Sequence, residues 1–476
     1  MSKSETSLST IEARHIDYVP ESERHGKVWK QGPFWFLGNF QPFTVSIGFI
    51  GPLVGLNFLW TSIAAISGIL FGTLFMAAHA AQGPKLGLPQ LVQSRAQFGY
   101  RGVTVPLIAT TFTFIAFNVV DTVIIKEGVK NIFGWNATLV AICIGVLAVL
   151  LAIYGHDWLH RVFQILFWAS LPFWIVLTGG IIFGQVKSTV EPSGAFSIAG
   201  FFAMFAVAAS YNITYAPYVS DYSRYLPKDT STSAIIKYVF IGASGSPIWL
   251  IPLGAWLATR LGVADALAGI HDAGNATFSN VGTILAILAV LALVATMGLN
   301  AYSGMLGIVT AIDSYHPVRS HVRIRVVSIV AMGIIWFILG LVLDGATSVL
   351  NSSLLVMLYL LAPWTAINLI DFYFVRHGKY AITDLFSVNG IYHRWNKIGI
   401  ISYAIGIAVE IPFMFIPGYY ESAGAIKLQY VDISWIIGLA VGGGLYYILS
   451  RSLDLNAEKP AIEKSEEMLA ATGLAR

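Results

Sequence analysis

Gly38-Asn39-Phe40-Gln41-Pro42-Phe43-Thr44-Val45-Ser46-Ile47-Gly48 lies inside the first apolar stretch of the chain and reads as a helix that does not run through unbroken. Amides, hydroxyls, a proline and two glycines interrupt an otherwise apolar run. In hydrocarbon every backbone group needs an internal partner, so such residues are tolerated at mid-span only where protein lines a cavity. A second stretch, Ser210-Tyr211-Asn212-Ile213-Thr214-Tyr215-Ala216-Pro217, has the same character.

Around these two stretches the chain is apolar almost throughout. Of 476 residues, 56% are hydrophobic and only 11% charged, against roughly 25% charged in soluble domains. Runs long enough to cross a ~30 Å hydrocarbon layer, about 20 helical residues each, recur from Pro33 to near Ser450. The expected spans are 33–56, 57–82, 103–125, 135–154, 159–184, 197–218, 234–259, 281–312, 326–343, 351–375, 398–417 and 431–450, about twelve in all. The reading is an all-α membrane protein. Residues 1–32 form an N-terminal segment, 33–450 one transmembrane transporter domain, and 451–476 a polar tail that reads as solvated.

The two interrupted stretches fall in spans 1 and 6. That is the relation expected if spans 1–5 and 6–10 are inverted repeats, each opening on a discontinuous helix. Helix-end N–H and C=O groups then meet at mid-membrane and bind a polar solute or ion. Two independent proline kinks are the plainer alternative, and the matched positions argue against it.

Span 3 carries Phe114, Asn118 and Asp121 at i, i+4 and i+7, on one helix face. A carboxyl inside a span is a functional hypothesis by default. Span 8 offers Asn300, Tyr302 and Ser303 beside glycines. Helix-to-helix bonding also explains Asn300, since one amide in lipid must find partners. Aromatics make up 13% of the chain, and most of them belong to packing. Phe114, Tyr211 and Tyr215, beside breaks and amides, suit the grip of a flat heterocycle. Glu410, in span 11, lies outside the ten-helix repeat and reads as structural or as part of an oligomer contact.

Positive residues are retained in cytoplasmic loops. With the N-terminus inside, 23 of the 28 Lys and Arg fall on the cytoplasmic side, and both termini face the cytoplasm of a plasma (inner) membrane. Residues Met1 to Lys30 lack the apolar core and cleavage site of a signal peptide, so no processing is expected. Cys143 is the single cysteine, which excludes an intramolecular disulfide, and no cofactor or resident metal is expected. His156 and His160, four apart beside Arg161, read as solvated rather than as a metal pair.

The motifs that close these spans resemble those of the nucleobase-cation symporter family one, the purine and cytosine permease group. They are Gly87-Leu88 through Arg95-Ala96-Gln97-Phe98-Gly99, then Ser220-Asp221-Tyr222-Ser223-Arg224-Tyr225, then Pro363 with Asp371-Phe372-Tyr373 and Arg376 to Tyr380. The resemblance extends over roughly Trp29 to Ser450. It implies a leucine-transporter-like fold with two peripheral helices, and a planar heterocycle held between helices 1, 3, 6 and 8. Residue by residue it places substrate contacts at Ser46, Phe114, Asn118 and Asn300, with Tyr211 or Tyr215 as the stacking aromatic of helix 6. Sodium-coupled members are similar to one another in consecutive hydroxyls on helix 8. Here Ser303 is followed by Gly304, which favours a proton over sodium, with Asp121 as carrier and Ser303 as the remaining ion ligand.

The implied activity is secondary-active import of cytosine or a purine by alternating access. Allantoin or hydantoins, uracil, thiamine-type pyrimidines and pyridoxine are the related alternatives, since hydrogen-bond placement rather than stacking separates them. The partners are this small heterocycle and the lipid bilayer; no nucleic acid is implied, and oligomeric state is silent. A solute sensor without transport is the reading from another class. A membrane enzyme would want a nucleophile with a base, or a metal cluster, at depth, and a channel would want charged rings; neither pattern is visible.

Overall fold

The structure, a computed structural model, describes residues 15–191, 193–263, 265–318 and 321–475. Met1 to Arg14 of the expected N-terminal segment, Arg319, Arg476 and the side chain of His156 lie outside the described residues.

Span 1 is broken where its sequence demands. Helix Gln31–Gly38 stops, and helices Pro42–Ile47 and Ile50–Leu53 follow. Gln41 is extended at φ −159° and ψ 168°, and its side-chain oxygen accepts from the Phe43 N–H at 2.5 Å, which caps the second half. Pro42 occupies the first helical position, where its missing N–H costs nothing. Span 6 is interrupted more gently. Helix Ile198–Ile213 is followed by Ala216–Ser223, and the intervening Thr214 and Tyr215 keep right-handed helical angles. With no residue forced into an extended conformation, span 6 bends where span 1 opens.

Among the described residues nine helices are long and apolar enough to cross a membrane. They are span 2 (Phe58–Ala80), span 3 (Thr104–Phe133), span 4 (Ala137–Tyr154), span 5 (His156–Ile182), span 6, span 7 (Thr232–Trp256), span 8 (Val281–Asp313), span 9 (Val322–Val342) and span 10 (Ala346–Ile370). The other three expected spans are shorter helices: the broken span 1, span 11 (Lys397–Glu410) and span 12 (Ser434–Ser450). Span 11 was expected to reach residue 417. It ends at Glu410, because Pro412 cannot donate to the ladder, and the chain tightens over Ile411–Phe413 before Phe415–Ile416 pairs with Tyr420–Glu421.

Spans 1, 2, 6 and 7 pack as one group, and spans 3, 4, 8 and 9 as another. Span 5 lies against spans 1 and 8, and span 10 against spans 6 and 3. Exchanging spans 1–5 with 6–10 maps this pattern onto itself, as a repeat of five helices requires. The exchange reaches single glycines. Gly72 of span 2 lets the Ala209 backbone of span 6 approach, and Gly254 of span 7 does the same for Val45 of span 1; a Cβ at either would clash with a carbonyl oxygen. Spans 11 and 12 pack on each other and on span 10, outside both groups.

The N-terminal segment from residue 15 and the C-terminal tail to residue 475 fold onto one face of the bundle. The Val19 N–H donates to the Gly87 carbonyl at 2.9 Å, and Arg24 Nη1 to that of Pro84 at 2.6 Å. The tail is not simply solvated: Leu455–Thr472 forms a helix bent 91° from span 12. Glu458 accepts from Arg376 Nε at 3.0 Å and Nη2 at 2.8 Å, and Ser465 Oγ accepts from the Thr383 N–H at 3.1 Å. The motif residues gather on this same face. Arg95 pairs with Asp313 at 2.9 Å, fully buried. Arg376 pairs with Asp371, which also accepts from Tyr380, Tyr446 and Gln97.

Candidate functional site

At mid-bundle the two interruptions are stitched to each other. Asn39 Nδ2 donates to Asn212 Oδ1 at 3.0 Å and to the Ala243 carbonyl at 2.9 Å, while Asn212 Nδ2 donates to Thr73 Oγ1 at 2.7 Å. One turn further on, the Tyr211 hydroxyl meets Thr44 Oγ1 at 2.8 Å and accepts from Gln41 Nε2 at 3.2 Å. Thr44 in turn donates to the Asn39 carbonyl, one of the backbone groups freed by the break. Tyr211 is therefore engaged as a bridge between spans 1 and 6, and its ring stacks on Phe43 at 5.3 Å.

Spans 3 and 8 face this junction. Asn118 Nδ2 donates to the Met297 carbonyl at 3.1 Å, and Asn118 Oδ1 accepts from Asn300 Nδ2 at 2.8 Å. The interhelical amide bond that the sequence offered as an alternative is thus present. It leaves Asn300 Oδ1 buried with no partner among the described residues. The same holds for Ser303 Oγ, the Tyr218 hydroxyl and both carboxyl oxygens of Asp121. Asp121 lies within electrostatic reach of Tyr211, Tyr215 and Tyr218. An unpartnered buried polar group costs about 1–3 kcal/mol, so a cluster of them has donors and acceptors to offer a ligand.

Rings close the cluster. Phe117 stacks on Tyr215 at 5.4 Å, and Phe114 meets Tyr218 edge-on at 4.6 Å. The sequence-predicted Phe114, Asn118, Asp121, Tyr211, Tyr215, Asn300 and Ser303 are all buried here. Ser46 is buried too, but its hydroxyl donates to the Pro42 carbonyl at 3.0 Å and is satisfied within its own helix. Tyr218 and Phe117 were missed. Tyr211, Tyr215 and Tyr218 follow i, i+4 and i+7, a signal available in the sequence.

The substitution of glycine for a second hydroxyl has a steric side. A Cβ at Gly304 would run into the Met332 thioether, so span 9 fills the space that a longer residue would occupy. Glu410, against span 12, is fully buried, with neither oxygen partnered among the described residues; its carboxyl fills a notch that only a glycine at position 438 leaves open. His160, expected to be solvated, instead stacks on Phe34 at 4.1 Å.

Residues 18–438 match the model of a family described as permeases for cytosine/purines, uracil, thiamine and allantoin. A putative purine-cytosine permease of Bacillus subtilis, YxlA, is 35% identical over 442 residues, covering 93% of this chain and 96% of its own. The allantoin permease of the same organism is 23% identical, over 91% and 92% of the two chains. The solved structure of Mhp1, a nucleobase-cation-symport-1 family transporter in a closed conformation with bromovinylhydantoin bound, superposes with a TM-score of 0.74 at 16% identity. That alignment covers 97% of this chain and all of Mhp1, so the leucine-transporter-like fold expected from sequence is the fold observed.

Proposed function

The chain belongs to the family of permeases for cytosine/purines, uracil, thiamine and allantoin, integral membrane transporters rather than enzymes, and from that premise we propose that it is a proton-coupled importer of cytosine or a purine. The observation that carries the reading is the buried cluster of unpartnered polar atoms, Asn300 Oδ1, Tyr218 OH, Ser303 Oγ and the Asp121 carboxyl, set against aromatic rings. Stacking faces hold a planar ring from above and below, while the amide and hydroxyls read its edge. Asn300 reads the ring edge, Asn118 holds Asn300 in place, and Phe114, Tyr215 and Tyr218 supply the faces.

The cluster draws on both helix groups, Tyr215 and Tyr218 from one and Phe114, Asn118, Asp121 and Asn300 from the other. A solute that touches both stabilises their closure, and rocking of one group against the other opens the site to alternate sides. Asp121 is the proton carrier; a hard cation such as sodium wants several oxygen ligands, and span 8 presents one hydroxyl at this point, Ser303, before Gly304. By the positive-inside rule the face holding both termini is cytoplasmic, and the chain resides in the plasma (inner) membrane.

Uptake of labelled cytosine and hypoxanthine into proteoliposomes, under an imposed proton or sodium gradient, tests this. Unlabelled allantoin, uracil and pyridoxine serve as competitors. Proton-driven accumulation of either base is expected. Accumulation blocked by allantoin alone moves the substrate to the hydantoin class, accumulation only with sodium overturns the carrier role of Asp121, and binding without accumulation makes the chain a sensor.

A further inference from the structure

A cavity of about 280 Å³ opens on the face that carries both termini, between the N-terminal segment, the first half of span 1, span 5 and the end of span 6. It sits at the lower edge of the roughly 300–1,000 Å³ range of small-molecule sites, a size suited to a single small heterocycle. Its lining pairs aromatic faces with amides: Phe34, Tyr222 and His160 beside Gln31 and Gln164. Phe34 stacks on the His160 imidazole at 4.1 Å and 29°, and Tyr222 lies 4.9 Å from Phe34. Gln31 is only 5% exposed, and its side-chain oxygen has no hydrogen-bond partner among the described residues. Gln31 borders the cavity with an acceptor that no donor among the described residues meets, and a reorientation of its side chain lets it accept from a ring N–H or an exocyclic amine.

The cavity is joined to the helix breaks by rings. Phe117 stacks on Tyr215, Tyr215 meets Trp35 edge-on at 6.0 Å, Trp35 meets Tyr222 at 5.8 Å, and Tyr222 reaches Phe34. Midway, the Trp35 indole N–H is buried and has no partner among the described residues. This row of buried rings joins the central cluster to the cavity as one continuous aromatic layer.

We propose that this cavity is a second, weaker station for the same planar heterocycle, with Gln31 and Gln164 reading its edge and the Phe34 and His160 rings its face. The proposal rests on the reading of the central cluster as a heterocycle site. Its weakness follows from exposure: Gln164 is exposed and His160 half-buried, so a bound ring is only partly enclosed. The station holds solute after it leaves the central cluster, and so bears on release more than on capture.

Equilibrium binding of labelled cytosine and hypoxanthine to the full chain in phosphatidylcholine nanodiscs provides the test. Two phases are expected, the second about tenfold or more weaker, as the loss of one good hydrogen bond implies. Gln31→Ala and, as a surface variant that keeps the fold, Gln164→Ala should remove the weak phase; Asn300→Ala should remove the tight one. In uptake, the two glutamine variants should lower turnover several-fold at an unchanged half-saturating concentration. A single phase that both glutamine variants leave intact overturns the station and spares the proposed function. No binding of either base overturns both. Loss of the weak phase when phosphatidylglycerol replaces phosphatidylcholine would make the cavity, rimmed by Lys27 and Lys30, a headgroup site and overturn the assignment.

Discussion

The helix breaks and the face that carries the termini treat buried polar groups in opposite ways. On the terminal face, charges are paired. Arg95 and Asp313 are both fully buried and bonded at 2.9 Å, and Arg376 sits between Asp371 and Glu458. At the breaks, Asp121, Tyr218, Ser303 and the Oδ1 of Asn300 are equally buried and have no partner among the described residues. The first arrangement holds helix ends in one place, because removing either member leaves a bare charge. The second costs stability and, on the proposed function, keeps groups ready for a solute. The motifs by which the family is recognised, around Arg95, Asp221 and Asp371, belong to the locked face; the residues proposed to choose the solute are scattered singly through apolar helices.

The largest effect should come from breaking the lock. Arg95→Ala strands Asp313 in a buried position and should cost about 3–5 kcal/mol of stability, read as a lowered thermal midpoint of the purified protein. An unchanged midpoint would show that the paired charges are not what holds the face, and the contrast between the two regions would fail. Asp121→Asn tests the other side. It removes a titratable group with no protein partner, so the midpoint should hold or rise while proton-driven accumulation collapses toward simple equilibration. Retained accumulation with an unaltered pH profile would rule out this carboxyl as the carrier.

Asn300→Ala sharpens the contrast at the level of one hydrogen bond. Apparent affinity should weaken by about 1–3 kcal/mol with insertion and midpoint intact. Asn118→Ala should reproduce much of that loss, since Asn118 Oδ1 is what orients Asn300. Kinetics unchanged in both variants would remove the amide pair from the site.

How far the sequence could be read follows the same division. Span positions, the break in span 1 and the face shared by Phe114, Asn118 and Asp121 were legible, because a bilayer allows few places for proline and polar residues. The gentler bend in span 6 was harder to place. Pro217 tolerates an ordinary helix start, so composition does not say how far the backbone opens. Tyr218 escaped because a tyrosine in the last turns of a span reads as interfacial until Phe114 is seen against it. The docking of the tail was not legible for a related reason: its helix is mostly exposed, as a solvated segment would be, and it is held by Glu458 and Ser465, whose partners Arg376 and Thr383 each lie 82 residues away in sequence.

That anchor yields the smallest expected effect. Glu458→Gln removes the charge that Arg376 meets at 2.8 and 3.0 Å, yet Asp371 remains on the other side of the guanidinium. No bare charge is created, so the several-kilocalorie penalty of a broken buried pair does not apply. Gln keeps one acceptor for Arg376, and Glu458 is itself partly exposed, so the loss should be about 0.5–1 kcal/mol. Limited proteolysis of the tail is the sensitive readout, since local opening responds to a change too small to move the global midpoint. Faster cleavage within Leu455–Thr472 at an unchanged midpoint is the expected result. A midpoint shift as large as that of Arg95→Ala would mean that the tail helix belongs to the lock itself rather than resting on it.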